Sequence, residues 1–191
     1  GIDVAAVVAR CPVPVVATLR SAAEGGRGPD DPELRRARIR AAREAGAALI
    51  DLEHVRDAHL IAELGLPPEQ VILSWHDPAA TPGRLAEIAA QMLESPARWI
   101  KVVPTARSVA DLCTVLDLHR RFNSHRPARR RLLTFAMGTC GLASRYLAPL
   151  LGPPLAYAAW SEDAPAAPCQ RTSNRPAGSI GHLADPPQRL Y

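Results

Sequence analysis

Short apolar runs alternate with amphipathic stretches along most of this chain. Strands are expected at 13–19 (VPVVATL), 49–53 (LIDLE), 71–75 (VILSW), 99–103 (WIKVV), 132–137 (LLTFAM) and 155–159 (LAYAA), where β-branched and apolar residues fill short windows. Between them the spacing predicts helices at 33–45, 57–65, 82–95, 108–122 and 142–151, and a leading helix at 2–10. Ser108 stands where an N-cap belongs and Pro82 suits a first helical turn. Gly46 and Gly65 occupy expected helix C-caps.

Strand–helix repetition implies a parallel sheet, and near-continuous apolar strands imply cover on both faces. Six strand units follow one helix. A (β/α)8 barrel has eight strands and about 250 residues, so the pattern fits either an open doubly wound sheet or a barrel whose first part is absent. After residue 160 the chain changes character. The stretch SEDAPAAPCQRTSNRPAGSIG is rich in Ala, Pro, Ser and Gly, which predicts a loop. Pro186 and Pro187 keep any last helix short. The chain reads as one domain over 1–191, with a loop and irregular tail at 161–181.

Composition narrows the class. Of the 191 residues, 47% are hydrophobic and 22% charged, a globular balance with no apolar run long enough to span a bilayer. The N-terminus lacks the basic and apolar regions of a signal peptide, so a cytoplasmic location is expected. Cys11, Cys113, Cys140 and Cys169 lie far apart, which argues against a zinc site and fits reduced thiols. The net charge is +4, with arginines concentrated at 33–43 and 125–132. Helical periodicity makes the first stretch a solvated face and the second a loop. With aromatics at only 4%, nucleic-acid binding is not expected. The mild positive charge suits an acidic metabolite.

Active sites of parallel α/β folds form at the carboxyl ends of the strands. The polar residues there are Thr18, Arg20 and Glu24 after the first strand, and Asp51 and Glu53 in the second. His76 and Asp77 follow from the third strand, Lys101 from the fourth, and Ser144 and Arg145 from the fifth. Asp51 and Glu53 are expected to alternate across their strand, so that only one faces the interior. Lys101, flanked by apolar residues, should enter a covered interior where burial lowers its pKa. A neutral amine can attack a ketone and form an iminium. The competing reading is a lysine that reaches solvent or pairs with Glu53. His76 is either a structural histidine or a general acid/base beside that iminium. Arg20 and Arg145 offer forks for a carboxylate or for ordinary ion pairs.

Taken in order, TLRSAAEGGR (18–27), LIDLE (49–53), ILSWHD (72–77), IKVVPTARS (100–108), MGTCGLASRYLAPLLGPPLAYA (137–158) and APCQ (167–170) resemble the type I 3-dehydroquinate dehydratases. The resemblance implies a (β/α)8 TIM barrel, of which this chain supplies about six strands. It implies dehydration of 3-dehydroquinate through a lysine Schiff base, with no cofactor or metal. Lys101 is then the Schiff-base lysine, His76 the acid/base and Glu24 the carboxylate that orients it. Arg145 grips the substrate carboxylate, Arg20 and Glu53 are further substrate contacts, and Gln170 lies on the lid. The family's earlier Glu-x-Arg strand is not in this sequence. The lid has Pro168-Cys169-Gln170 in place of PGQ, and Ala166 at its serine position. A rival register would use Gly178-Ser179. A homodimer or a fusion to shikimate dehydrogenase is compatible with the family. Two other readings compete: a shortened barrel that binds without turnover, and another Schiff-base enzyme such as a class I aldolase. The EGG and MGxxGxxSR motifs speak against the aldolase.

Overall fold

The computed structural model of the protein describes residues 3–123, 131–153, 155 and 157. Helix α1 (Val4–Arg10) leads into strand β1 (Val16–Thr18), and helix α2 (Pro32–Glu44) into β2 (Leu49–Glu53). Two short helices, α3 (His54–Asp57) and α4 (Leu60–Glu63), precede β3 (Val71–His76). Then come α5 (Leu85–Leu93), β4 (Trp99–Val103), α6 (Val109–Asn123), β5 (Leu132–Thr134) and α7 (Leu142–Leu147). All strand pairs are parallel, and the sheet order is β1-β2-β3-β4-β5.

That order decides between the two architectures. A doubly wound sheet reverses its strand order at a switch point; these five strands never reverse. The helices also pack on one face. Ile50, Leu52, Val71, Leu73, Ile100, Val102 and Leu132 share a core with helical Ile39, Leu60, Leu85, Ile88, Met92, Val115 and Leu118. Leu49, Ile72, Trp99 and Leu133 form a second cluster, joined by Leu155 and Val16, that contains no helix residue. These residues fill the opposite face at the amino ends of the strands, as inward layers do in a barrel. The sheet is a section of a (β/α)8 barrel. The expected sixth strand, 155–159, lies mostly outside the described residues.

Several elements are shorter than the pattern implies. The run 13–19 yields only three strand residues, because Pro14 has no N–H for a ladder; Val15 still accepts from Ala48 and Leu49 through its carbonyl. The run 132–137 leaves the sheet after Thr134. The Ala136 amide goes to Ser144 Oγ at 2.8 Å, and that of Met137 to the Pro104 carbonyl. The expected helix 57–65 is broken at Ala58–His59, and the Asp57 carboxylate turns back to the Glu53 amide. Gly46 and Gly65 do end helical segments at positive φ, 84° and 55°.

The α2 arginines are not all a solvated face. Arg35 is only 2% exposed. Its Nε and Nη2 form a fork on Asp57 at 2.9 and 2.6 Å, while its Nη1 and Nη2 also donate to the carbonyls of Pro29 and Leu19. It is one turn before Ile39, on the helix face that meets the sheet. Of the second arginine stretch, Arg131 is described. It donates to the carbonyls of Leu93, Ser95 and Ala97 at the end of α5.

Candidate active site

A tight turn after β1 supplies the first wall. Residues Ala22–Glu24 make one 3-10 turn, closed by Gly25 at φ 85°, a left-handed conformation that favours glycine. Gly26 is held by close approach instead: a Cβ there would fall 2.2 Å from the Arg20 carbonyl oxygen. Gly26 donates to the Ser21 carbonyl and Gly28 to that of Arg20. The turn thereby folds the Glu24 carboxylate back over the Arg20 guanidinium.

Arg20 reaches across the inner face. Nη2 meets Asp51 Oδ1 at 2.8 Å, and Nη1 meets Glu24 Oε2 at 2.8 Å, Ser74 Oγ at 3.0 Å and Glu53 Oε1 at 3.4 Å. The expectation that only one of Asp51 and Glu53 faces inward is therefore wrong. Strand residues two apart point to the same side, and Leu52 between them enters the helix-side core. Glu53 is further held by the Ser21 amide at 2.6 Å, and its other oxygen lies 3.3 Å from Arg35 Nη2.

Lys101 projects from β4 into this cup, 8% exposed. Its Nζ is 3.2 Å from Asp51 Oδ2 and 4.5 Å from the centre of the Tyr157 ring. The lysine's partner is thus Asp51, neither the solvent nor the Glu53 of the competing reading. Register explains the geometry: Ser74 is level with both Glu53 and Lys101, and its hydroxyl donates to Asp51 Oδ1 at 2.5 Å. His76, one turn of the pleat beyond Ser74, lies with Nδ1 2.9 Å from Glu24 Oε2.

Burial and charge set the protonation states. Burial pushes the Lys101 amine below the usual lysine range, the Arg20 cation adds to this, and Asp51 opposes it. Burial and the Lys101 and Arg20 charges hold the His76 imidazole neutral down to about 2. Burial alone would raise Asp51, but Lys101, Arg20 and Ser74 keep it ionised down to about 2. Burial raises the Glu24 carboxyl to about 7 against the pull of Arg20. Because Glu24 Oε2 also accepts from Arg20, it accepts from Nδ1–H of a neutral imidazole, which leaves Nε2 with a free lone pair.

The far wall comes from β5 and beyond. Arg145, on α7, sits 4.6 Å over the Phe135 ring, and Phe135 lies 6.0 Å from Tyr157. Arg145 is thus linked through Phe135 to Tyr157, the ring beside Lys101. Ser144 anchors it by accepting from the Ala136 amide and donating to the Gly141 carbonyl at 2.6 Å. Arg20, Glu24, Glu53, His76 and Lys101 come together as one constellation. Gln170 lies outside the described residues, as do Ala166 and Cys169. Asp51 and Ser74 join the site beyond the residues expected from sequence; their period-two spacing from Glu53 and His76 is the signal that points to them. Nothing in the sequence singled out Tyr157.

The arrangement offers a buried amine of lowered basicity, a carboxylate beside it, and an imidazole with a fixed tautomer. Such a set can form an iminium and move a proton next to it. Among the described residues, no helix is long and apolar enough to cross a membrane. Residues 2–175 match the family model described as Type I 3-dehydroquinase. A 3-dehydroquinate dehydratase of Dehalococcoides mccartyi (strain ATCC BAA-2266 / KCTC 15142 / 195) is 33% identical over 163 residues, covering 83% of this chain and 71% of the relative. A chloroplastic bifunctional 3-dehydroquinate dehydratase/shikimate dehydrogenase of Arabidopsis thaliana is 30% identical, covering 89% of this chain and 28% of that one. The solved 3-dehydroquinate dehydratase of Geobacillus kaustophilus HTA426 superposes with a TM-score of 0.69 at 26% identity. That match covers 83% of this chain and 63% of the solved chain, just under two thirds of its length.

Proposed function

The chain belongs to the type I 3-dehydroquinase family, and from that premise we propose that it dehydrates 3-dehydroquinate to 3-dehydroshikimate through a Schiff base on Lys101, in cytoplasmic aromatic amino-acid biosynthesis. One observation carries the reading: the only lysine of the chain is buried at a strand end, beside a carboxylate and within the same cup as a neutral histidine.

The neutral Lys101 amine adds to the substrate ketone. The carbinolamine loses water with one proton taken up from solvent and relayed through His76 Nε2, and the cationic iminium remains. His76 Nε2 then removes the proton from C2, and the electron pair moves into the iminium as an enamine. Collapse of the enamine expels the C1 hydroxyl, which leaves as water with a proton returned from His76. Hydrolysis of the product iminium restores the lysine. Glu24 keeps Nδ1–H occupied, so that Nε2 is the nitrogen that works. Arg145 receives the substrate carboxylate as a bidentate fork. Arg20 and Glu53 are further substrate contacts that also brace Asp51, Ser74 and the Ser21 amide. Gln170 is a further substrate contact.

Borohydride trapping tests the reading. The chain is incubated with 3-dehydroquinate, reduced, digested and mapped by mass spectrometry. The expected result is one adduct, on Lys101, that is absent in Lys101→Ala. A folded sample that gives no adduct would overturn the Schiff-base assignment and favour a barrel that binds without turnover.

A further inference from the structure

Asp51 is the carboxylate closest to the reacting nitrogen, and the proposed chemistry above gives it no part. Its two oxygens have separate duties. Oδ1 accepts from Arg20 Nη2 at 2.8 Å and from Ser74 Oγ at 2.5 Å, while Oδ2 faces Lys101 Nζ at 3.2 Å. The side chain is therefore clamped through one oxygen and leaves the other for the lysine. At 2% exposure, water cannot screen this pair as it would at the surface.

Other charged groups point into the cup, but they are spoken for. Glu24, from the turn after β1, bonds Arg20 and His76. Glu53, two residues along β2, is taken by Ser21, Arg20 and Arg35. Arg20 is a cation and repels Lys101. His76, on β3, is neutral, and Arg145 on α7, a cation, lies over the Phe135 ring. Tyr157 offers the face of its ring, which favours a cation modestly.

Resting on the Schiff-base reading, we infer that Asp51 is the fixed counterion of the iminium on Lys101, a positioning residue that acts through that nitrogen. The addition step makes this necessary. A neutral amine and a neutral ketone, with one proton, become a cationic C=N bond and water: the C–N bond forms, the C–O bond breaks, and one positive charge remains on nitrogen in a dry interior. An uncompensated buried charge is costly. Asp51 Oδ2 already stands where the iminium N–H donates, so the charge appears opposite a carboxylate whose reorganisation is prevented by Arg20 and Ser74. The same carboxylate holds Lys101 protonated to a higher pH than burial alone would permit.

Two measurements on the full chain test this. The first is the pH midpoint for Lys101 modification by a small neutral acylating reagent, read by peptide mass spectrometry. The second is the fraction trapped by borohydride with 3-dehydroquinate above that midpoint, where free lysine is neutral and only the adduct carries charge. Asp51→Asn keeps the shape and loses the charge. We expect its midpoint to fall by about one pH unit or more, and its trapped fraction by about tenfold for each unit. Asp51→Glu should recover part of both. An unchanged midpoint or trapped fraction in Asp51→Asn overturns the counterion role. If Asp51→Asn does not fold, reciprocity supplies the test: in Lys101→Met, the carbon-13 signal of the Asp51 carboxylate should titrate at higher pH than in the unaltered chain, and equal midpoints would refute the coupling. A chain that traps no substrate but shows the midpoint shift would instead refute the dehydratase reading alone.

Discussion

Glu24 Oε2 lies 2.9 Å from His76 Nδ1, fifty-two residues away in the chain. The same oxygen takes the Arg20 guanidinium at 2.8 Å, so it stays an acceptor and the imidazole proton stays on Nδ1. Glu24→Gln can turn its amide NH2 toward Nδ1 and favour the other tautomer. Turnover is then expected to fall by on the order of 10²-fold, the low end of what a positioned acid/base contributes. Lys101 should still be trapped by borohydride. Steady-state kinetics beside trapping separates the two, and an unchanged kcat would remove Glu24 from the orienting role.

His76 governs acid stability. Folding holds it neutral down to about 2, whereas its ordinary value is 6.5. Between those values the unfolded chain binds the extra proton, so stability is lost as pH falls, by about 1.4 kcal/mol for each unit below 6.5. Glu24 has the opposite sign. Its carboxyl is raised from 4.5 to about 7, so its contribution is present at low pH and lost as pH rises through the folded value. His76→Asn removes the first slope and keeps the second. Denaturant melts between about pH 7 and about pH 5 should show the variant losing less stability on acidification than the unaltered chain.

Arg35 should be worth far more than its neighbour Arg36. Removing Arg35 strands Asp57, which is 2% exposed, and loosens Glu53. Arg35→Ala is expected to cost about 3–5 kcal/mol. Arg36, about one third exposed, should cost under about 1 kcal/mol as Arg36→Ala. Urea unfolding of the two variants side by side makes the comparison. Equal losses would mean that the buried fork adds nothing.

Gly26 carries a steric prediction. A Cβ there meets the Arg20 carbonyl oxygen at 2.2 Å, so Gly26→Ala must move backbone. A loss of about 1–3 kcal/mol is expected, with a larger proportional loss of activity, because the displaced atoms belong to the residue that spans Glu24, Asp51, Glu53 and Ser74. Activity retained in full by a destabilised variant would show that the turn yields without moving Arg20.

The parallel fold was legible because β2 and β4 are short apolar runs bounded by polar turns; both occur at 49–53 and 99–103 as the pattern implied. What periodicity could not convey was partnership. Pairs such as Lys101 with Asp51 join residues fifty apart, and only the register of β2, β3 and β4 places them together. Arg35 was misread for a related reason: an arginine-rich helix looks solvated until a buried acid such as Asp57 is set against it. Recognition of Lys101, His76 and Glu24 came from ordered motifs. Asp51 escaped because a period-two rule was applied one residue out of step. Arg145 stacks on Phe135, which neighbours Tyr157, an aromatic series that no spacing reveals.

The unreversed strand order bears on how the molecule is made. Each strand pairs with the one synthesised just before it, so every new βα unit emerging from the ribosome finds its partner already waiting. Arg20, Asp51, Glu53, Ser74 and His76 arrive with the first three strands and can organise among themselves. Lys101 arrives with the fourth. The buried amine thus joins a frame of side chains already translated, and a chain released before β4 would carry that frame without its lysine.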